Sequence, residues 1–592
     1  MPLDALAIAA VRGDLERRII HARIERVAQP GRGELLFTLR RGAAAHLLRF
    51  SADLPWPWVG LVRTPPPSPA NPPSFCMLLR KYLGGGRLLR LAQPPCERLL
   101  GLVVEHYDEI GAVAEFTLWL ELFGRRGNAV LVNAAGAIVD ALRRTGPEAA
   151  RPLEPGAVYA PPDSAGRLNP LELAADTFAN LLRHAPAGTP LGGLLQRKLV
   201  GLSRETIAAI IAGAGLNPDL PAAGLPLEDA ARLWHALSGL LAEAAAGRFS
   251  PRVITDGQGR AVDVSALPII LPPGWSQEPV DAPAEAAGRV YADLARDELA
   301  GRLRTRLLAR ARSELAKIER KRAKQLAEES AAAGADRYRE YGDLIYAHLA
   351  EIPRQADRVL LPSFTAPGIM VEIPLDPALA PGANAQAHYR RYQRAKRGQN
   401  AIAAQLARTN EEAAYLEQLI YSLETAETAP ELAEIETEMA SAGLLPRPAQ
   451  KAARPLGPRA YLSADGCEIL VGRNSRQNDH LTFTLAGPGD IWLHAREIPG
   501  SHVIVKTAGY ARPPEATLRQ AALLAAYYSG ARGGTKVPVD YTARRHVRKR
   551  AGGRPGLVTY DHFETAIVDA LPEALAGLVE IQPDALKRRE RD

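Results

Sequence analysis

Two stretches nearly free of the residues that stop a helix constrain this chain more than any other feature. Residues 285–333 and 384–428 contain almost no glycine or proline and are rich in Ala, Glu, Arg and Leu, the composition of long helices. In the second stretch Ile402, Leu406, Thr409, Ala413, Leu416, Ile420 and Leu423 recur at alternating intervals of four and three, a coiled-coil seam over three heptads. The first stretch answers with Leu308, Ala311, Leu315 and Ile318, so an antiparallel hairpin is the economical arrangement. Its arms would run roughly 65–75 Å at about 1.5 Å per residue. Such an arm supplies reach, not a catalytic core.

The net charge of +7 over 592 residues says little about partners, but its distribution says more. Residues 301–324 hold ten basic and two acidic residues, 409–440 hold nine Glu and no basic residue, and 501–550 again hold ten basic and two acidic. Antiparallel pairing lays the acidic 411–440 beside the basic 301–312. It leaves Lys317, Arg320, Lys321, Arg322 and Lys324, with Arg390, Arg391, Arg394, Lys396 and Arg397 on the return arm, as unbalanced charge toward the far end. The stretch between the arms, 335–383, has apolar runs at 359–361 and 368–373 and reads as a small folded knob. A distal basic zone with a knob fits docking on RNA, and solvated helix faces are the alternative.

Cys76, Cys96 and Cys467 are far apart and form no CxxC or CxxH pair, which excludes a disulfide framework and a zinc ribbon. The start, Met1-Pro2-Leu3-Asp4, has no basic segment followed by an apolar one, and no stretch approaches the roughly 20 apolar residues of a membrane helix. A cytoplasmic protein without membrane contact is expected.

The first 180 residues alternate apolar runs (35–39, 101–105, 113–122, 129–132) with turn signals, an α+β pattern. Phe123-Gly124-Arg125-Arg126-Gly127 reads as a hairpin loop, and a proline-rich break at 64–73 divides the region into two lobes. From 191 to 240 the pattern is helical: Ser203 precedes a helix starting near Glu205, and Gly213 and Gly215 end it. Two short helices joined through glycines form either a helix-hairpin-helix, whose loop amides can receive a phosphate, or a plain packing module. After a linker, a second α/β region carries strand signals at 503–505 and 536–540 and a helix at 517–529. Its run 541–550 has five basic residues in seven, including Arg544, Arg545, Arg548 and Lys549, followed by a glycine loop, which fits contact with RNA phosphates.

Two strings carry a resemblance. Asn71-Pro72-Pro73-Ser74-Phe75-Cys76-Met77-Leu78-Leu79-Arg80-Lys81-Tyr82-Leu83, followed by Cys96-Glu97-Arg98, resembles the NFACT-N domain of the RqcH/NEMF family, also labelled fibronectin-binding protein A-like. Gly472-Arg473-Asn474-Ser475-Arg476-Gln477-Asn478-Asp479, continuing to Asp490-Ile491-Trp492-Leu493-His494-Ala495-Arg496-Glu497-Ile498-Pro499-Gly500-Ser501-His502-Val503, resembles its NFACT-R domain. The resemblance covers nearly the whole chain. It implies an α+β multidomain protein: a two-lobed NFACT-N domain (1–180), a helix-hairpin-helix region (181–284), a long antiparallel coiled-coil hairpin (285–334 and 384–440) with a small tip domain (335–383), a linker (441–458), a C-terminal α/β NFACT-R domain (459–570) and a basic tail (571–592).

Members of this family are ribosome-associated quality-control factors. The resemblance implies binding to large ribosomal subunits, through rRNA and stalk-base protein, that are still obstructed by peptidyl-tRNA. It further implies recruitment of tRNA, chiefly alanyl-tRNA, for alanine tailing of the stalled chain without mRNA, with a small S4-type RNA-binding protein as a possible partner. Peptide-bond chemistry is the ribosome's, so no enzyme activity and no cofactor are implied. The family's Asp-Arg pair for tRNA engagement falls on Glu97-Arg98, with Glu in place of Asp. An arginine can hold phosphate or a base edge while the adjacent carboxylate orients it. The family's Gly-Arg-His-Ser-Asn string appears as Gly124-Arg125-Arg126-Gly127-Asn128. Phe75, Met77, Leu78 and Leu79 are expected as helix core, with Arg80 and Lys81 facing tRNA.

In the C-terminal string, Trp492 and Pro499 are expected to be structural, and Arg473, Asn474, His494 and His502 to form a polar network or touch RNA; Gln477, Asn478, Asp479, Asp490, Gly500 and Ser501 complete the motif. Asp490, His494, Glu497 and His502 do not have the spacing of a complete ligand set, so no metal is expected. Two rivals remain. A formamidopyrimidine-glycosylase-like enzyme would use Pro2 as nucleophile, but Leu3 leaves no adjacent acid and no zinc finger follows. A fibronectin-binding adhesin would follow the older family label.

Overall fold

The apolar runs of the N-terminal region pair as one antiparallel sheet. A computed structural model describes residues 3–581 except 54–55, 108–110, 165, 367, 447–455, 508–511, 551, 572–574 and 576–577; Pro2 and the basic run 587–591 lie outside the described residues. The chain divides into two units, Met1–Glu298 and Leu299–Asp592.

In the first unit, strands β1 (Arg23–Ala28), β2 (Glu34–Arg41), β3 (Ala44–Ser51), β4 (Trp58–Val62), β5 (Arg87–Ala92), β6 (Leu99–Tyr107), β7 (Val113–Glu121), β8 (Asn128–Asn133) and β9 (Ile138–Ala141) lie in the order β4-β3-β2-β1-β5-β6-β7-β8-β9. The two lobes on either side of the proline-rich break are the two halves of this sheet, joined where Arg23 of β1 opposes Arg87 of β5. Helix α1 (Ala5–Ile19) starts at Asp4, whose side chain accepts from the Ala7 amide. Its Ile8, Val11, Leu15 and Ile19 pack with Phe37, Leu48, Leu118 and Leu131 of the strands in one core. The predicted hairpin loop is a tight 3-10 turn, Gly124–Arg126, between β7 and β8.

Helix α2 (Ser74–Leu83) corrects one expectation. It buries Phe75, Cys76, Leu79 and Leu83, while Met77 is 51% exposed. The buried set follows the helical period, and Met77 points away from that face.

Helices α3 (Ala175–Arg183), α4 (Leu191–Lys198), α5 (Arg204–Gly213) and α6 (Leu227–Ala245) enclose Leu194, Ile207, Ile211, Leu233 and Leu237. Ser203 caps α5 by accepting from the Thr206 amide at 3.1 Å, and Gly215 turns the chain away with φ +73°. A three-stranded sheet of β10 (Arg252–Thr255), β11 (Ala261–Ser265) and β12 (Ser276–Pro279) follows.

Helix α7 (Pro283–Ala332) is 50 residues long and continues from the first unit into the second. Its root seats on β4 through glycine: a Cβ on Gly288 would lie 1.9 Å from the Leu61 carbonyl oxygen, and one on Gly60 would lie 2.4 Å from the Gly288 nitrogen. Glycine inside a helix costs about 0.5–1 kcal/mol relative to alanine; here it permits backbone contact, with Tyr291 stacked on Trp58 at 6.3 Å.

In the second unit α7 pairs with α9 (Pro381–Thr425) as the antiparallel hairpin expected, because Arg312 bonds Glu424 at 2.6 Å and Lys321 approaches Glu412 at 3.8 Å. Thr409, Ala413, Leu416 and Leu423 of the heptad are buried, and Ile402, Leu406 and Ile420 are half-buried. Between the arms, α8 (Asp336–Ala347), β13 (Arg358–Pro362) and β14 (Met370–Pro374) form the knob around Leu344, Ile345, Leu361 and Ile373. The return arm does not run unbroken to 440. It ends at Thr425, and α10 (Ala429–Ser441) starts from a capping box in which Thr428 and Glu431 satisfy each other's amides, with proline in the first turn.

The C-terminal module contains β15 (Arg459–Leu462), β16 (Glu468–Val471), α11 (Ser475–His480), β17 (Ile491–Ala495), β18 (Val503–Val505), α12 (Glu515–Tyr527), β19 (Val537–Ala543), β20 (Val547–Lys549), β21 (Val558–Tyr560), β22 (Glu564–Val568) and β23 (Val579–Ile581). Its seven-stranded sheet has the order β22-β19-β17-β18-β16-β15-β23, and β20 and β21 pair as a separate ribbon. One face packs on α12, and Trp492 is at the centre of the other.

Candidate nucleic-acid interface

Glu97 and Arg98 sit where three segments meet. Cys96 turns the chain with φ +55°, and Gly201 passes so close that a Cβ there would lie 2.0 Å from the Cys96 carbonyl oxygen. The Ala5 amide donates to the Gly201 carbonyl at 2.7 Å, while Gln93 Nε2 donates to the carbonyls of Ala5 and Glu97 at 2.9 and 3.1 Å. Asp4 closes the cluster by accepting from Thr206 Oγ1 at 2.6 Å and the Ser203 amide at 3.2 Å.

Within this frame Arg98 Nε donates to the Leu3 carbonyl at 3.0 Å, and its Nη2, shielded from solvent, has no hydrogen-bond partner among the described residues. Burial pushes the guanidinium below its ordinary value, partly countered by Asp4 and Tyr291. Burial likewise pushes the Glu97 carboxyl up, against the pull of Arg167. Among the described residues no ion pair joins Glu97 to Arg98, so the two adjacent side chains do not neutralise each other. An unmade buried hydrogen bond costs about 1–3 kcal/mol, so Nη2 is an unspent donor within this cluster.

Arg80 and Lys81 lie at the end of α2. Arg80 Nε donates to the Val27 carbonyl at 2.8 Å, and Lys81 is exposed with Nζ 4.9 Å from the Tyr82 ring centroid. Arg125 lies on the 3-10 turn Gly124–Arg126, and Arg126 is exposed there.

The distal charge of the coiled coil is less unbalanced on α7 than the sequence suggests. Lys317 pairs with Glu314 at 2.9 Å, Lys321 with Glu412 at 3.8 Å and Lys324 with Glu328 at 3.9 Å, because helical spacing and the return arm supply carboxylates. Arg320 and Arg322 have no carboxylate partner among the described residues. On α9, Arg390, Arg391, Arg394, Lys396 and Arg397 are all exposed, and none has such a partner among the described residues. Arg390, Arg394 and Arg397 fall within one helical face. Nearer the base the charges do cancel, with Arg306 on Glu436 at 2.5 Å and Arg312 on Glu424.

The second motif string is turned inward. Asn474 caps α11 by accepting from the Gln477 amide at 2.9 Å. Its Nδ2 and Gln477 Nε2 both donate to Glu434 Oε2 of α10 at 2.8 Å. Arg473 Nη1 donates to Glu431 at 2.5 Å, and Arg459 adds a second cation at 3.4 Å. Burial pushes Glu431 up, but the Glu427 amide, Arg473 and the Thr428 amide pull harder and hold it below its ordinary value. Asn478 bridges the Gly500 carbonyl at 3.3 Å and the His502 amide at 3.1 Å, and the Gly500 amide donates to Gln418 of α9 at 2.8 Å. The motif therefore fastens the module to the coiled-coil base. Sequence reading missed Glu431, Glu434 and Arg459; only the capping-box spacing of Thr428 and Glu431 was visible.

Trp492 is fully buried, stacked on His494 at 5.8 Å, with His502 edge-on at 5.3 Å. Burial lowers both imidazoles, His502 the more strongly. Thr482 meets His502 Nδ1 at 2.8 Å, and Asp490 accepts from Lys506 at 2.9 Å. Pro499 accepts from the Gly530 amide at 2.8 Å, and the Ser501 amide donates to the Tyr528 carbonyl at 2.9 Å. Asp479 accepts from the Gly556 amide at 3.0 Å and from Lys549. In the basic run, Arg544 Nε donates to the Thr482 carbonyl at 2.8 Å, Arg548 approaches Asp561 at 3.6 Å, and Arg550 meets Glu411. Arg545 is exposed and has no carboxylate partner among the described residues.

The fold and these two motif-bearing modules define a two-part architecture, a large N-terminal and middle region followed by a compact terminal module. Residues 4–455 match the family of NFACT N-terminal and middle domains, and residues 458–560 match the NFACT protein RNA binding domain. The chain belongs to the NFACT family. Among curated relatives it is 31% identical over 587 residues to the Rqc2 homolog RqcH of Bacillus subtilis, covering 96% of this chain and 98% of that one. It is 30% identical to the Rqc2 homolog RqcH of Streptococcus suis, covering 98% and 100%. A solved structure, the C-terminal part of the fibronectin/fibrinogen-binding protein from Streptococcus suis, is 30% identical with a TM-score of 0.39, covering 48% of this chain and 99% of that one. Among the described residues no helix is long and apolar enough to cross a membrane.

Proposed function

We propose that this protein is a ribosome-associated quality-control factor. It binds large ribosomal subunits obstructed by peptidyl-tRNA and recruits alanyl-tRNA, so that the ribosome extends the stalled chain with alanine without mRNA. The observation that carries this reading is the end-to-end match to proteins named Rqc2 homolog RqcH, together with the RNA binding domain at 458–560. The chain itself holds and positions substrates, and bond formation belongs to the ribosome, so it acts as a binding factor and not as an enzyme.

Arg98 supports a role in tRNA engagement because its Nη2 is unspent and its neighbour Glu97 does not neutralise it. Glu97, with a carboxyl raised by burial, can orient that guanidinium or accept from a base amine. Arg390, Arg394 and Arg397 present an exposed cationic face suited to rRNA phosphates. Tagged protein purified from cells should bring down large subunits and tRNA, and nascent chains should carry alanine-rich tails. Recovery of neither large subunits nor tRNA would sink the proposal. Arg98→Ala should abolish tailing while subunit binding persists; equal loss of both would refute the division of labour between Arg98 and the coiled coil.

A further inference from the structure

Asp490, His494, Glu497 and His502 do not form a ligand cluster among the described residues. One other set does. His546, Asp561 and His562 each place a ligand atom within 4.8 Å of the others. The ribbon register explains how residues so far apart in sequence meet. Val547 of β20 opposes Tyr560 of β21, so the next pair outward is His546 and Asp561.

The backbone holds this end of the ribbon in place. The Asp561 amide donates to the His546 carbonyl at 3.3 Å, and Thr542 Oγ1 donates to the carbonyls of Asp561 and His562 at 3.1 and 3.0 Å. His562 adopts the left-handed φ of +51°, a region that glycine favours and that Asn, Asp and His enter more often than other residues. That turn brings its ring to 4.8 Å from the His546 ring, centroid to centroid. His546 Nδ1 and His562 Nδ1 lie 3.4 and 2.9 Å from the same carboxylate oxygen, Asp561 Oδ1. Ligands at about 2.0–2.1 Å from a tetrahedral zinc ion are separated by about 3.3 Å, so small adjustments complete the geometry. Arg548 approaches the other oxygen, Oδ2, at 3.6 Å, which leaves Oδ1 as the inward-facing donor. The side chains are 28%, 45% and 75% exposed for His546, Asp561 and His562, so an ion has a path in from solvent.

We propose that the end of the β20–β21 ribbon is a binding site for a divalent transition-metal ion of the zinc type, held by His546 Nδ1, Asp561 Oδ1 and His562 Nδ1. Two imidazoles and a carboxylate suit zinc better than calcium or magnesium, which take all-oxygen shells. Three protein ligands leave a fourth position for water. The ion would tie together the ends of a ribbon only three residues long on each side. This inference stands apart from the reading of Arg98 and of the coiled coil.

The test uses the full-length protein, stripped with a chelator and titrated with zinc chloride by calorimetry, and with cobalt(II) followed by its visible absorption. One equivalent of zinc should bind, and cobalt should give the spectrum of a low-coordinate nitrogen and oxygen site. His562→Gly suits the left-handed turn, so its metal-free melting curve should match wild type while zinc affinity falls by more than about tenfold. Asp561→Asn should weaken binding to a similar degree and change the cobalt spectrum. No saturable binding by wild type, or wild-type affinity retained in either variant, would overturn the site.

Discussion

Arg98 and Arg473 are both partly buried arginines inside motif strings, and the molecule uses them in opposite ways. Arg473 is committed within the fold: it donates to Glu431 at 2.5 Å and to the Gly457 carbonyl at 3.2 Å, beside a network of Glu434, Asn474 and Gln477. Arg98 spends one donor on the Leu3 carbonyl and keeps Nη2 without a partner among the described residues. Two strings of similar polarity thus do different jobs. One fastens a module to its neighbour within the second unit, and the other keeps a shielded donor unspent, which underlies the role proposed for it in tRNA engagement. A polar motif indicates function only when its donors are left over after the fold has taken its share.

The comparison breaks first at Glu431. Glu431→Ala leaves Arg473 and Arg459 without a buried counter-charge and removes the acceptor of the α10 capping box, so the second unit should lose about 3–5 kcal/mol in urea unfolding. Glu431 is held below its ordinary value, so its contribution is present above the unfolded carboxyl pKa and is lost as pH falls through the folded one. The wild type should therefore lose more stability than the variant on acidification.

Glu438 tests the opposite sign. Burial pushes its carboxyl up to about 7 even though Tyr415 donates to it at 3.0 Å. A raised carboxyl costs stability as pH rises through the folded pKa. Glu438→Gln should then stabilise the second unit by roughly 1–3 kcal/mol at pH 8 and by little at pH 5. An equal effect at both values would show that the carboxyl is ionised throughout.

Arg98→Ala should be milder for folding, about 1 kcal/mol in thermal or urea unfolding, since it removes one hydrogen bond. Its cost should fall on tRNA binding instead, measurable by filter binding. If folding suffers as much as in Glu431→Ala, Arg98 is structural and the contrast with Arg473 fails. Smallest in stability should be the triple change of Arg390, Arg394 and Arg397 to Ala, within about 0.5 kcal/mol for exposed positions. RNA binding by that variant should show a salt slope lower by up to about 3.

Much of the architecture was legible because it repeats. The four-three spacing from Ile402 to Leu423 predicted the hairpin, and the alternating runs predicted strands such as β7 (Val113–Glu121) and β18 (Val503–Val505). Ser203 and the glycines after it marked α5. Single positions are less legible: hydrophobicity alone predicts Met77 in the core, whereas helical phase buries Cys76 and leaves Met77 51% exposed. The distal lysines of α7 counted as unbalanced because a sum of charges does not say which carboxylate a neighbouring helix presents.

Local pattern settled the elements of this protein, their order and the sign of charge on each segment, because helix period, strand alternation, caps and turns depend on neighbours within a few residues. Partner choice across distance belonged to the tertiary structure. Glu431 meets Arg473 across 42 positions, and His546 meets Asp561 across a ribbon turn. Such contacts leave no period in the sequence, because they follow from how packed surfaces bring together segments that share no local geometry. The same holds for Arg98, whose Nε meets the Leu3 carbonyl across 95 positions.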